Sequence, residues 1–123
     1  MIPTTHFTEA EMACKCGCGK ANMDIAFMTK LEALRVAYGE PMVITSGFRC
    51  NNYNTAVKGS KSSRHMFGQA VDVAIAEPAK RFRLVELAFK HGFRGIGCDG
   101  AFVHLDTRGT EPVMWLYPVT DKG

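Results

Sequence analysis

Ser62-Ser63-Arg64-His65-Met66-Phe67-Gly68-Gln69-Ala70-Val71-Asp72-Val73, together with the later Phe102-Val103-His104-Leu105-Asp106, decides how this chain folds. His65 and Asp72 are too far apart in sequence for a helical i, i+4 pair, and Gly68 between them is a breaker. The chain therefore turns after His65 and enters a strand near Ala70. Ala70 to Ile75 is a run of small and β-branched residues carrying one charge, and Ala101 to Asp106 is an apolar strand with His104 set into it. A carboxylate inside such a strand is costly to bury unless it is paired or bound to a cation.

Two imidazoles and one carboxylate are a sufficient ligand set for a catalytic zinc. Structural zinc sites close with four Cys or His ligands, whereas hydrolytic sites keep three protein ligands and an open position. Spacing alone leaves a second possibility open, in which His65 caps a turn, Asp72 accepts backbone hydrogen bonds and His104 is a satisfied core histidine.

Working outward, Thr8 followed by Glu11 has the form of a capping box before a short helix. Residues 24 to 38 predict an amphipathic helix with Ile25, Met28, Leu31, Leu34 and Val36 as apolar positions, Asp24 as N-cap and Gly39 past its end. Residues 42 to 45 predict a short strand, and 50 to 64 a long polar loop with one helical turn near Tyr53. Such a loop beside a candidate site is either functional or a solvated connector. Pro78 to His91 predicts a second helix, with Phe82, Val85, Leu87, Ala88 and Phe89 on its apolar face, ended by Gly92. Gly95 to Asp106 reads as a hairpin turning at Asp99-Gly100. Trp115 and Tyr117 read as a packing lid over the core. These elements predict one α+β domain over residues 1 to 123, with a small, mostly antiparallel sheet and helices packed on one face.

Composition agrees. A chain of 123 residues is large enough for one core and too small for two. With 46% hydrophobic and 22% charged residues it has the profile of a globular protein. The net charge of +3, without a Lys/Arg run, does not point to nucleic acid, and gives at most a weak, salt-screened attraction to an anionic surface. No stretch approaches the apolar length of a membrane span, and Met1 to Glu11 lacks the basic and apolar regions of a signal peptide. The expectation is a monomer made in the cytoplasm.

Five cysteines stand apart from this pattern. Cys14, Cys16 and Cys18 form a tight cluster, while Cys50 and Cys98 are isolated. Cys-x-Cys is not the spacing of ordinary zinc ribbons, and no matching second pair follows. The segment reads as a turn holding reduced thiols, the alternative being a disulfide between the cluster and Cys50.

Ile44-Thr45-Ser46-Gly47-Phe48-Arg49-Cys50, Tyr53-Asn54, Ser63-Arg64-His65, Gly68-Gln69-Ala70-Val71-Asp72, Gly95-Ile96-Gly97 and Phe102-Val103-His104-Leu105-Asp106 follow the motif order of a known family. Over about residues 6 to 109 the chain resembles the zinc D-alanyl-D-alanine carboxypeptidases, also called hedgehog-type metallopeptidases. That resemblance implies a compact α+β fold, Zn2+ held by His65, Asp72 and His104, and hydrolysis of stem or cross-bridge peptides of peptidoglycan. A zinc held there would acidify water to a pKa of about 7 and polarise the scissile carbonyl. A small single domain of that kind without a visible signal sequence looks like a phage or prophage lytic enzyme, acting on the wall after release or as part of a phage particle. The alternatives are a carboxypeptidase for free D-Ala-D-Ala ends, and a phage structural or binding module that keeps fold and zinc with little activity.

One departure bears on catalysis. Many relatives carry an acid three residues before the last histidine ligand, and here that residue is Ala101. Asp106 shares a strand face with His104 by the period of two, and is expected either as the general base or as an orienter of His104. Asp99 in the preceding turn is the next candidate base. Arg49 is expected to bind a substrate carboxylate or an oxyanion, against the alternative of a surface salt bridge. Ser63 is expected to contact substrate or brace the loop.

Overall fold

The structure is a computed structural model and describes residues 4 to 117. Four helices are present among them: α1 (Glu9–Met12), α2 (Ile25–Tyr38), α3 (Asn51–Ala56) and α4 (Pro78–Lys90), with a 3-10 helix at Arg64–Phe67. Five strands, β1 (Val43–Ser46), β2 (Ala70–Ala74), β3 (Gly95–Cys98), β4 (Phe102–Asp106) and β5 (Val113–Leu116), form one sheet in the order β1-β2-β4-β3-β5. All neighbours are antiparallel except β3 and β5. The fold is α+β, and its helix ends follow local chemistry. Thr8 and Glu11 cap each other, Asp24 accepts from the Phe27 N–H at 2.9 Å, and Gly39 closes α2 at φ 76°.

Strand alternation divides the sheet into two chemically different faces. Val71, Val73, Ile96, Val103 and Leu105 point into a core completed by Phe27, Met28, Leu31 and Leu34 of α2 and Leu84 and Ala88 of α4. Asp72, His104 and Asp106 occupy the intervening positions and point the other way. One strand pair therefore anchors the fold with half its side chains and builds a polar site with the other half.

The buried helix stripes differ from those expected. Ile25 and Val36 of α2 are exposed, as are Phe82 and Phe89 of α4, which is seated by buried Leu84 and Ala88 with the expected Val85 and Leu87 packed beside them. Trp115 does not cover the core either. It belongs to β5, a strand that the sequence did not reveal, whose register sets it opposite Gly97 on the polar face.

Candidate metal centre and active site

One local turn and two strand pairings bring the polar residues together. The 3-10 turn carrying His65 starts at Ser63, whose Oγ accepts from the His65 N–H at 3.3 Å, and ends at Gly68 with φ 68°. Any side chain at 68 would be strained, and a Cβ there would lie 2.2 Å from the carbonyl oxygen of Asn22. A register shift between Ile44 and Ser46 sets Ser46 opposite Asp72. On the neighbouring strands Asp72 pairs with His104, and His104 with Gly97.

The hydrogen bonds fix which nitrogen of each imidazole faces inward. His65 Nδ1 lies 2.8 Å from the carbonyl of Gly47, which only accepts, so Nδ1 carries the proton. His104 Nε2 lies 2.7 Å from Asp106 Oδ2, and therefore donates to that carboxylate. The other nitrogens, His65 Nε2 and His104 Nδ1, stand 3.2 and 3.1 Å from the same Asp72 Oδ1. In the neutral imidazoles both inward nitrogens are lone pairs, so three acceptors converge, with their ligand atoms within 4.8 Å of one another. Such a donor set is stabilised by a cation, and two nitrogens plus one carboxylate oxygen fit Zn2+ with a position to spare. The outward bonds to Gly47 and Asp106 are the orienting contacts that metal-bound histidines usually have.

Charge in this cluster is set by burial competing with partners. Burial depresses the pKa of His65. It also opposes the charged form of His104, but hydrogen bonds to Asp106 and Asp72 prevail and raise that pKa. For Asp72, burial favours the neutral form, but His104 and His65, which donate to it once they take up a second proton, overcome burial in the metal-free chain and hold the carboxylate well below its usual range. Asp106 is likewise held low, because His104 and Arg108 donate to it against the effect of burial.

Arg49 is buried. Its Nε donates to Ser46 Oγ at 3.2 Å, Nη1 to Asn54 Oδ1 at 3.3 Å and Nη2 to Asp72 Oδ2 at 3.3 Å. The surface salt bridge is thereby excluded. Gly59 permits this bracing, since a Cβ there would lie 2.1 Å from Asn54 Oδ1.

Arg49, Ser63, His65, Asp72, His104 and Asp106 all line one cavity of about 330 Å³. Asp99 is not among its lining residues, and its Oδ2 instead accepts the Ala101 N–H at 3.0 Å in the turn before β4. The same cavity is lined by Lys58, Arg64, Arg108, Phe102, Trp115 and Tyr117, which sequence reasoning did not assign to the site. Arg108 could have been found by the period of two that joins it to Asp106. Trp115 could not, because it reaches His104, ring centroids 5.1 Å apart, only through the parallel pairing of β5 with β3. Burial pushes the Tyr117 hydroxyl up to about 12, so it stays a neutral donor.

The model of the Peptidase M15 family matches residues 5–106, a span that contains every element from α1 to β4 and all three converging ligands. This chain belongs to the M15 peptidase family. It is also similar to the zinc D-Ala-D-Ala carboxypeptidase of Streptomyces albus G, with 35% identity over 95 residues. That alignment takes in 74% of this chain and 37% of the relative, so the chain spans little more than a third of the curated protein it matches.

Proposed function

We propose that this M15 chain is a zinc-dependent peptidase domain hydrolysing peptide bonds in the stem or cross-bridge peptides of peptidoglycan, with Zn2+ held by His65, Asp72 and His104. The observation that carries this reading is the inward aim of His65 Nε2 and His104 Nδ1 at the Asp72 carboxylate. Zn2+ at such a site supplies Lewis acidity toward water and toward the scissile carbonyl.

The chain's own residues do the rest. Gly47 and Asp106 hold the two imidazoles in their ligating tautomers. Arg49, fixed at three nitrogens, has N–H donors left over for a substrate carboxylate or a developing oxyanion. Lys58, Arg64 and Arg108 make the cavity cationic around it, which suits a peptide ending in, or carrying, a carboxylate. Trp115 covers one side of His104 and limits water there.

Asp106 in this account positions His104 and is not the base. Its Oδ1 accepts from the Arg108 N–H and Nε at 3.1 and 3.0 Å, and its Oδ2 from His104 Nε2 and Arg108 Nη2, both at 2.7 Å. About four acceptor sites are thus used, and the depressed pKa makes it a weak proton acceptor. Among the described residues, Asp72 and Asp106 are the carboxylates lining the cavity. That observation favours a second reading, in which the domain keeps fold and zinc but hydrolyses slowly.

Peptide release from purified peptidoglycan, stopped by a chelator and restored by zinc, tests the proposal. No release at saturating zinc would favour the second reading. Loss of terminal D-Ala from a monomeric stem peptide would identify a carboxypeptidase, and cutting of a cross-linked dimer an endopeptidase. We further propose that the enzyme is a phage or prophage lytic enzyme, reaching the wall after release or within a particle. Clearing of intact sacculi by the protein added from outside tests it.

A further inference from the structure

The cysteines left aside by the catalytic account converge in space. Cys14, Cys16 and Cys18 come from one loop and Cys50 from the N-cap of α3, yet their four sulfurs lie within 4.8 Å of one another. The Sγ–Sγ distances are 3.5 Å for Cys14 and Cys16, and 3.7 Å from Cys50 to each of them. A tetrahedron with zinc–sulfur bonds of about 2.3 Å has edges of about 3.8 Å. A disulfide would bring one pair to about 2.0 Å and leave two thiols over.

The loop is built to hold this arrangement. Cys14 N–H donates to the Lys20 carbonyl at 2.8 Å, closing the turn, and Gly17 and Gly19 sit at φ 90° and 79°, where other residues would be strained. Backbone N–H groups of Cys50, Cys18 and Tyr53 point at the sulfurs of Cys14, Cys16 and Cys50 respectively, each at 3.4 Å. N–H donors aimed at sulfur stabilise thiolates, as the outer contacts of a metal site do.

We propose that Cys14, Cys16, Cys18 and Cys50 bind a second, structural Zn2+, closed by four thiolates and distinct from the three-ligand site. Binding releases four thiol protons and leaves the ZnS4 unit with a charge of −2. Its position gives it a task. Cys50 directly follows Arg49 and lies close to Gly47, whose carbonyl fixes the tautomer of His65. Phe48 N–H donates to the Met12 carbonyl at 2.9 Å, so the cysteine loop and this strand exit are already joined. A metal tying residues 14 to 18 to Cys50 holds the Arg49 segment against the cavity.

Metal content of the full chain under reducing conditions tests the assignment. The protein is expected to carry two zinc equivalents, Cys18→Ser and Cys16→Ser to carry one, and His65→Ala/His104→Ala to lose the other. Both cysteines chosen are exposed, but if either serine variant fails to fold, cobalt in the unmodified chain and in His65→Ala/His104→Ala gives the answer. An intense thiolate-to-cobalt charge-transfer band retained by the histidine variant supports the site. Absence of that band, zinc content unaffected by the serine changes, or mass spectra showing a native disulfide among these four cysteines would overturn it. Iron in place of zinc would uphold the four-thiolate site and correct the metal.

Discussion

Asp106 holds His104 by its outer nitrogen, at 2.7 Å, and so turns the inner one toward the carboxylate of Asp72. The strand period makes this contact possible and Arg108 locks it, because its guanidinium and backbone N–H engage both carboxylate oxygens. Removing the charge at 106 should therefore act through the metal. Asp106→Asn is expected to weaken zinc binding about 10- to 100-fold and to regain activity at excess zinc. Unchanged zinc affinity, with activity lower by roughly two to four orders of magnitude, would instead make Asp106 the base.

Arg49→Lys tests the buried fork. An ammonium cannot bond Ser46, Asn54 and Asp72 at once and still face substrate. The variant should fold and bind zinc while turnover falls by about 10²-fold, as expected for losing one preorganised donor. Turnover near that of the unmodified protein in a steady-state assay would remove Arg49 from the machinery.

Gly95 and Gly97 leave space for the site rather than for a turn. A Cβ at 95 would sit 2.2 Å from Asp106 Oδ1, and one at 97 would sit 2.6 Å from Trp115 Cε2. Gly95→Ala and Gly97→Ala should each cost about 1–3 kcal/mol in denaturant unfolding, and Gly95→Ala should also weaken zinc binding. Gly109→Ala, with nothing within 4 Å of its Cβ, should be near neutral.

The pH dependence has two windows. In the metal-free chain Asp72 and Asp106 have depressed pKa values, so their stabilisation is present above the unfolded carboxylate pKa of about 3.9 and is lost as pH falls through the folded values. Zinc, by contrast, competes with a proton at His104, whose pKa is raised above the usual value of about 6.5. Zinc affinity at this site should therefore start to fall as pH drops toward neutrality, and should keep falling through His104's raised pKa. Thermal unfolding of the metal-free chain below about pH 5, and calorimetric zinc titration between about pH 8 and about pH 5, separate the windows.

That His65, Asp72 and His104 converge was legible because the signals are local: Gly68 breaks the chain after His65, and single polar residues interrupt the apolar strands at 72 and 104. Helix caps at Thr8 and Asp24 were legible for the same reason. Phe82 and Phe89 misled because α4 carries apolar residues around much of its circumference, and periodicity alone does not select the stripe that meets a sheet. Pairing of β5 with β3 is non-local and parallel, so Trp115 gave no sign that it would reach His104. The cysteine constellation was missed similarly, since spacing rules examine the three clustered residues while Cys50 joins them only in the folded chain.

Mass spectrometry of purified muropeptides, incubated with the zinc-loaded protein and with His65→Ala, shows whether the His65–Asp72–His104 site hydrolyses peptidoglycan peptides. The account predicts a hydrolysed stem or cross-bridge bond with the unmodified protein and intact muropeptides with His65→Ala. Intact muropeptides in both reactions, with zinc demonstrably bound through His65, Asp72 and His104 in the unmodified protein, would contradict it.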